Sequence, residues 1–304
     1  MIGIIIKSTG SWYLIRNDQG EIFSSRLRGK FKLNDQKLSN PIATGDKVEF
    51  NEDKNNLGNY IIVKIFPRNN YLIRKSIKKK NNCHIIASNI DQAIIISSLK
   101  NPSTKSGFID RFLISCFAYR IPALVIYNKE DILNNQEKTK LNNEIDYYKK
   151  IGFNSLSISG KFGKRINILK SILKNKTSLF MGNSGVGKST LINKLSSNAN
   201  QKTSEISKKS NKGKHRTTFS EIFDIDKKTK IIDTPGIKTF ELFDIEKNQI
   251  KNYFPEFIKI NYKCKFNNCL HINEPTCEVK KELGKSIWKR RYKNYLRIIQ
   301  DLKI

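Results

Sequence analysis

Long apolar runs are missing from this 304-residue sequence: nothing in it approaches the ~18 residues that a membrane-spanning helix needs. The opening stretch Met1–Ile6 is too short for a secretory signal and has no small-residue cleavage pattern, so a cytoplasmic protein is expected. Cysteine is scarce and odd in number, five residues in all, which excludes a disulfide framework as the source of stability. No internal repeat is present. The most informative shortage is of acid: Asp and Glu total 27 against 57 Lys and Arg, a net charge of +30.

What remains is a globular composition, 38% hydrophobic and 28% charged, in a chain long enough for more than one domain. The cationic excess points to a polyanionic partner, RNA foremost, because each Lys or Arg set against a phosphate releases a condensed counterion. Lysine outnumbers arginine 45 to 12, as an A+T-rich coding sequence gives without selection. Such drift explains the choice of lysine but not the size of the excess over Asp and Glu.

Three regions separate by pattern. Residues 1–68 carry short β-branched and aromatic runs (Ile4-Ile5-Ile6, Trp12-Tyr13-Leu14-Ile15, Val48-Glu49-Phe50, Tyr60-Ile61-Ile62-Val63) broken by turn signals, the pattern of a small all-β barrel. Trp12, Tyr13, Phe23 and Phe31 offer stacking faces and Arg16, Arg26 and Arg28 offer phosphate contacts, although most of these aromatics read as core. Arg74–Asn82 reads as a basic linker.

Across 69–240, apolar strands alternate with helical periodicity. Ala93–Ile96 and Ala123–Ile126 are continuous apolar runs, Phe108–Tyr119 is amphipathic, and helices are expected near 137–150 and 163–173, with strands near 153–158 and at Ser178–Met181. That alternation predicts an α/β fold with a doubly wound, mostly parallel sheet. Residues 241–304 hold a Cys/His cluster followed by a Lys/Arg-rich helix expected from Lys280 to Leu302.

The chemistry concentrates in four places. Gly182-Asn183-Ser184-Gly185-Val186-Gly187-Lys188-Ser189, with Thr190 beside it, fits the phosphate-loop pattern between a strand and a helix beginning at Lys188. Its glycines let backbone amides turn onto phosphates, Lys188 reaches the β/γ oxygens, and Ser189 offers a hydroxyl to Mg²⁺. Asp233-Thr234-Pro235-Gly236 follows the strand Lys230–Ile232, where a Mg²⁺-organising aspartate and a γ-phosphate-sensing glycine, Gly236, belong.

Asn128-Lys129-Glu130-Asp131 closes another strand, and the Asp131 carboxylate can accept from guanine N1–H and the exocyclic amine, a donor pair adenine lacks. Ser157-Ile158-Ser159-Gly160 follows the next strand and offers backbone contacts to the same base. Cys264, Cys269, His271 and Cys277 supply three thiolates and an imidazole, a tetrahedral set for structural Zn²⁺ with no position left for water.

The guanine-reading motif here precedes the phosphate loop instead of following it. In this order the motifs resemble the circularly permuted GTPases, specifically the ribosome small subunit-dependent GTPase A family. The resemblance covers nearly the whole chain and implies an oligonucleotide-binding-type barrel, a permuted GTPase domain and a zinc-binding C-terminal domain. It further implies a monomer that binds GTP and Mg²⁺, contacts rRNA, and acts late in maturation of the small (30S) ribosomal subunit. The family's threonine-rich loop corresponds to Asn211–Thr218, where Arg216 replaces the first threonine and leaves Thr217 or Thr218 as the Mg²⁺ ligand.

Ile237 stands where many GTPases carry a water-orienting glutamine, and the resemblance makes His215 the group that positions the water, against a role for it in RNA contact. Two other readings compete with this one. One is a GTP-dependent RNA-binding switch or scaffold outside subunit maturation; the other is a nucleotide kinase, disfavoured because no second-substrate site is visible and the guanine motif would go unexplained.

Overall fold

A computed structural model describes residues 1–27, 38, 40–54, 57–75, 83–196, 219–237 and 240–302. His215, Thr217, Thr218, Arg28 and Phe31 lie outside these.

The N-terminal strands are β1 (Ile2–Ser8), β2 (Tyr13–Asn17), β3 (Ile22–Leu27), β4 (Lys47–Glu52) and β5 (Tyr60–Ile65). They pair in the order β1-β2-β3-β5-β4, and β4 returns to β1, which closes the sheet into a barrel. β3 and β5 run parallel while the other pairs are antiparallel, the Greek-key signature of an oligonucleotide-binding-type barrel. The alternate residues Ile5, Tyr13, Ile15, Val48, Phe50 and Ile62 fill its interior. Phe23 packs on Phe50 and Tyr60 at ring distances of 5.1 and 4.7 Å and so belongs to that core. Trp12 stays exposed, with the Arg26 guanidinium 4.5 Å above its ring.

A hairpin of β6 (Tyr71–Lys75) and β7 (Cys83–Ser88) follows. The expected basic linker therefore begins inside a strand: Arg74 and Lys75 pair with His84 and Cys83, because cross-strand pairing of their flanking apolar neighbours outweighs the local charge run.

The α/β region comprises β8 (Gln92–Ser97), α1 (Ser106–Ala118), β9 (Ala123–Tyr127), α2 (Asn135–Lys150), β10 (Asn154–Ser157), α3 (Ile166–Leu173), β11 (Thr177–Met181), α4 (Lys188–Leu195), β12 (Glu221–Asp224) and β13 (Lys230–Asp233). The strands lie in the order β10-β9-β8-β11-β13-β12, parallel throughout except for the antiparallel edge strand β12. Successive residues face opposite sides: Ile94, Ile96, Phe180 and Ile231 pack under α3 and α4, while Ala93, Ile95, Leu179, Met181 and Ile232 face α1 and α2. α2 starts with a reciprocal cap between Asn134 and Glu137.

The barrel joins this sheet edge to edge through β1 and β12, so both form one 11-stranded sheet. Lys7 meets Glu221 at 2.9 Å, Thr44 donates to the Ser220 carbonyl at 3.1 Å, and Arg16 pairs with Asp224.

The C-terminal part has α5 (Pro255–Asn261), α6 (Glu278–Lys281) and α7 (Lys289–Asp301). The single helix expected from Lys280 to Leu302 is thus broken in two. Gly284 adopts φ 84° and donates to the Ile287 carbonyl at 2.8 Å, a turn that a side chain would strain.

Arg291 on α7 is 2% exposed and donates to Asp110 of α1 and Glu256 of α5, while Asn294 donates to Asp110 at 2.6 Å. Burial alone would push the guanidinium down, but the two carboxylates raise it above its ordinary range, so it remains charged. The triad docks the C-terminal helices onto the α/β region. Arg291→Met should leave two buried carboxylates without a countercharge and lower stability by about 3–5 kcal/mol, read as a fall in thermal midpoint. A midpoint unchanged from wild type would show that the triad contributes nothing to docking.

Candidate functional site

Strand β11 sits where the chain's crossovers change direction, with β13 on one side and the earlier strand β8 on the other. Open α/β sheets bind ligands outside the carboxyl ends of their strands at such a point. The loop from Gly182 to Gly187 lies there, and α4 begins at Lys188. Gly182 passes so close to β8 that a Cβ would stand 2.2 Å from the Ile96 carbonyl oxygen, and at Gly187, with φ 98°, one would stand 2.3 Å from Asn128 Nδ2. Glycine is required at both positions by contact, whatever ligand the loop takes.

Lys188 is buried, which lowers its ammonium against the opposing effect of Asp233, and its Nζ donates to the carbonyls of Gly182 at 2.9 Å and Asn183 at 3.2 Å. Ser184, Gly185, Ser189 and Thr190 are exposed around the loop, and Val186 is core. Thr234 Oγ1 donates to the Phe180 carbonyl at 2.8 Å, which ties the Asp233-Thr234-Pro235-Gly236 turn to the strand that feeds the loop. Gly236 rests on Ser184: a Cβ on Gly236 would lie 2.7 Å from the Ser184 nitrogen. Buried Asp233 ends β13 beside Lys188.

The guanine-motif residues converge on the same loop. Asn128 Nδ2 donates to the Val186 carbonyl at 2.9 Å, and its Oδ1 accepts from the Gly160 amide at 2.9 Å. Lys129, in the left-handed region at φ 66°, donates to the carbonyls of Gly185 at 2.7 Å and of Asn101. Asp131 is exposed, and its Oδ1 accepts from Ser159 Oγ at 2.5 Å. Of the other residues expected at the base, Ser157 donates its hydroxyl to the Glu130 carboxylate at 2.6 Å.

Three participants carry no signal in the residues alone: the Asn101 carbonyl, Lys164 and Arg165. A backbone carbonyl has no residue signature, and two cations do not stand out in so basic a chain. The assembled surface offers a glycine-rich loop with a buried lysine at one end and an oriented carboxylate at the other, which suits a guanine nucleotide. Asp131→Asn should collapse discrimination between guanine and adenine nucleotides, since two base donors lose an acceptor at roughly 1–3 kcal/mol. Titrations with GDP and ADP check this, and a preference that survives would remove Asp131 from base reading.

A second cluster lies in the C-terminal part. Cys264, Cys269, His271 and Cys277 are buried, with their ligand atoms all within 4.8 Å of one another. His271 Nδ1 lies 3.3 Å from the sulfurs of Cys269 and Cys277 and 3.7 Å from that of Cys264. Metal bonds of about 2.3 Å to sulfur and about 2.0 Å to nitrogen at tetrahedral angles separate such atoms by about 3.5 Å. Burial, reinforced by the neighbouring thiols, pushes the Cys277 thiol up to about 12, and burial with nearby Lys251 holds the His271 imidazole down at about 4. Both directions reflect desolvation, and a bound cation reverses that for the thiols. The set fits a closed, four-ligand ion. Tyr292 and Tyr295 of α7 hold its loop by donating to the carbonyls of His271 and Leu270.

Comparisons with known proteins agree with this geometry. Residues 65–243 match the RsgA GTPase family model and residues 2–61 the RsgA N-terminal domain model. The small ribosomal subunit biogenesis GTPase RsgA of Flavobacterium psychrophilum is 45% identical over 305 residues, an alignment covering 99% of this chain and 93% of that one. The crystal structure of YjeQ from Thermotoga maritima superposes with a TM-score of 0.72 at 29% identity, covering 99% and 98% of the two chains. That of YloQ, described as a circularly permuted GTPase, gives 0.70 at 25% identity, covering 99% and 94%. A barrel closed by β4 on β1, a guanine motif placed ahead of its phosphate loop, and end-to-end similarity to these relatives lead to one conclusion: the chain belongs to the RsgA GTPase family.

Proposed function

We propose that this chain is a GTP hydrolase of small ribosomal subunit biogenesis, a cytoplasmic monomer that binds the subunit's rRNA and couples hydrolysis to its own release. The observation that carries the reading is the meeting of guanine motif, second base loop and phosphate loop on Asn128, in a chain whose relatives are named for that role. The net charge of +30 suits an RNA partner, and no helix among the described residues is long and apolar enough to cross a membrane.

In this reading the amides of Gly182–Ser189 and the Lys188 ammonium take the phosphates. Ser189 and Thr217 or Thr218 hold Mg²⁺, with Asp233 behind them. Asn128, Lys129, Asp131 and Ser159 define the base site. Ile237 is 7% exposed and its amide is committed to the Gly182 carbonyl at 3.3 Å, so it cannot orient an attacking water. That task falls to His215.

Hydrolysis should therefore be slow in the isolated protein and rise strongly when small subunits are added. His215→Ala should cut the subunit-stimulated single-turnover rate by about 10²–10⁴-fold with GTP affinity intact. A rate within a few-fold of wild type would take His215 out of the mechanism. The absence of any stimulation by subunits would favour the RNA-binding switch instead.

The reading includes a structural Zn²⁺ on Cys264, Cys269, His271 and Cys277. With every ligand from the protein, the ion's part is to fold the C-terminal segment around itself. Stoichiometric zinc is expected in freshly purified, reduced protein. Cys269→Ser should release it and lower the stability of the C-terminal part while GDP binding persists. Metal analysis that finds no zinc would overturn the assignment.

A further inference from the structure

The residue between lysine and aspartate in an Asn-Lys-x-Asp tetrapeptide has no partner on a guanine base, so Glu130 looks like a spacer. Its surroundings contradict that. Glu130 is 8% exposed, and both of its carboxylate oxygens are engaged. Oε2 accepts from Ser157 Oγ at 2.6 Å and from Arg165 Nη1 at 2.7 Å, and Oε1 accepts from Lys164 Nζ at 2.6 Å. Ser157 ends β10 and Arg165 immediately precedes α3, so one carboxylate pins both ends of the loop between them.

Arg165 occupies the left-handed region at φ 61°, a conformation a non-glycine residue keeps only when its contacts over-determine it. Its guanidinium also donates to the Ser157 carbonyl at 3.0 Å. Burial works to raise the Glu130 carboxyl, and the bonds from Lys164 and Ser157 together with Arg165 outweigh it, so the group is held below the usual carboxylate range. The loop it clamps is the one whose Ser159 bonds Asp131 and whose Gly160 amide bonds Asn128.

Guanine's recognition edge demands such an arrangement. Two adjacent donors, N1–H and the exocyclic amine, call for a carboxylate, but the carbonyl oxygen next to them is repelled by one and needs a donor. Donor and carboxylate must then come from different loops held in fixed register, because adenine reverses the pattern at the carbonyl position.

We propose that Glu130 is a positioning residue for guanine recognition: its carboxylate fixes the loop between Ser157 and Arg165 so that a backbone amide of that loop meets the base carbonyl while Asp131 takes the base donors. This rests on the reading of the chain as a GTPase and goes further by naming what sets its base selectivity.

The test uses the full chain with GDP and with 2-aminopurine riboside diphosphate, whose base lacks the carbonyl and, with it, the N1 proton, and keeps the exocyclic amine for Asp131. Glu130→Gln should weaken GDP about tenfold and leave the carbonyl-free nucleotide within about twofold. Arg165→Gln should show the same selective loss, and the double variant should lose no more than either single one, as expected for partners in one contact. Equal losses for both nucleotides would mean general loosening and would overturn the proposal, as would GDP affinity within twofold of wild type. If Glu130→Gln does not fold, Lys164→Gln, on the exposed side of the clamp, should give a smaller loss with the same selectivity, and no selectivity there also overturns it. Asp131→Asn is the control for the underlying reading. If it abolishes guanine preference while Glu130→Gln changes nothing, only the role of Glu130 falls; if it too leaves the preference intact, the guanine site itself is misassigned.

Discussion

The side-chain amide of Asn128 is the contact on which the site's geometry depends. Its Nδ2 holds the Val186 carbonyl and its Oδ1 holds the Gly160 amide, so a single planar group fixes the phosphate loop against the second base loop. Both bonds are buried, where each donor or acceptor left without a partner costs about 1–3 kcal/mol. That is why Gly187 admits no side chain: the space a Cβ would need is already taken by the amide nitrogen. Lys129 adds a parallel tie from the same tetrapeptide to Gly185. Permuting the chain leaves these contacts untouched, because they depend on which strands are neighbours in the sheet and not on the order in which the chain visits them.

From that point a continuous polar path runs to the far end of the molecule. Tyr127, directly before Asn128, donates to Glu144 of α2 at 2.7 Å, and Glu144 accepts from Arg290 of α7 at 2.8 Å. Next to Arg290, Arg291 is the charge shared by Asp110 and Glu256, and the adjoining Tyr292, with Tyr295 a turn further on, holds the Cys/His loop. Guanine motif, C-terminal helix and candidate metal cluster are therefore fixed to one another by directional bonds, most of them buried. At the other edge the barrel joins through strand pairing and exposed ion pairs, which contribute little individually and are screened by salt. The two attachments differ in kind, one a buried charge network and the other a short sheet seam.

Much of this was legible in the residues. Continuous apolar runs at Ala93–Ile96 and Ala123–Ile126 can only be strands covered on both faces, and the glycines and lysine of Gly182–Ser189 have a backbone and a charge requirement that few other structures share. The clustering of Cys264, Cys269, His271 and Cys277 marked a ligand set whose atoms the fold brings within bonding range of one ion. Local charge carries less: Arg74 and Lys75 lie in a strand and the stretch from Lys280 is two helices, because a basic residue fits a loop, a strand edge or a helix face equally well.

The fold class, the order of the motifs and the ligand types can be read from the residues, because they follow from residue chemistry and short-range periodicity. Which groups meet across loops distant in the chain is set only on folding. The fold engaged Glu130 with Arg165, used the Asn101 carbonyl to hold Lys129, and gave Arg291 its two carboxylates. Those partners lie many residues apart, and in a chain of net charge +30 no cation is marked in advance as the one that will be buried. Packing makes that choice, because a buried charge survives only where its counterion is carried in by another element.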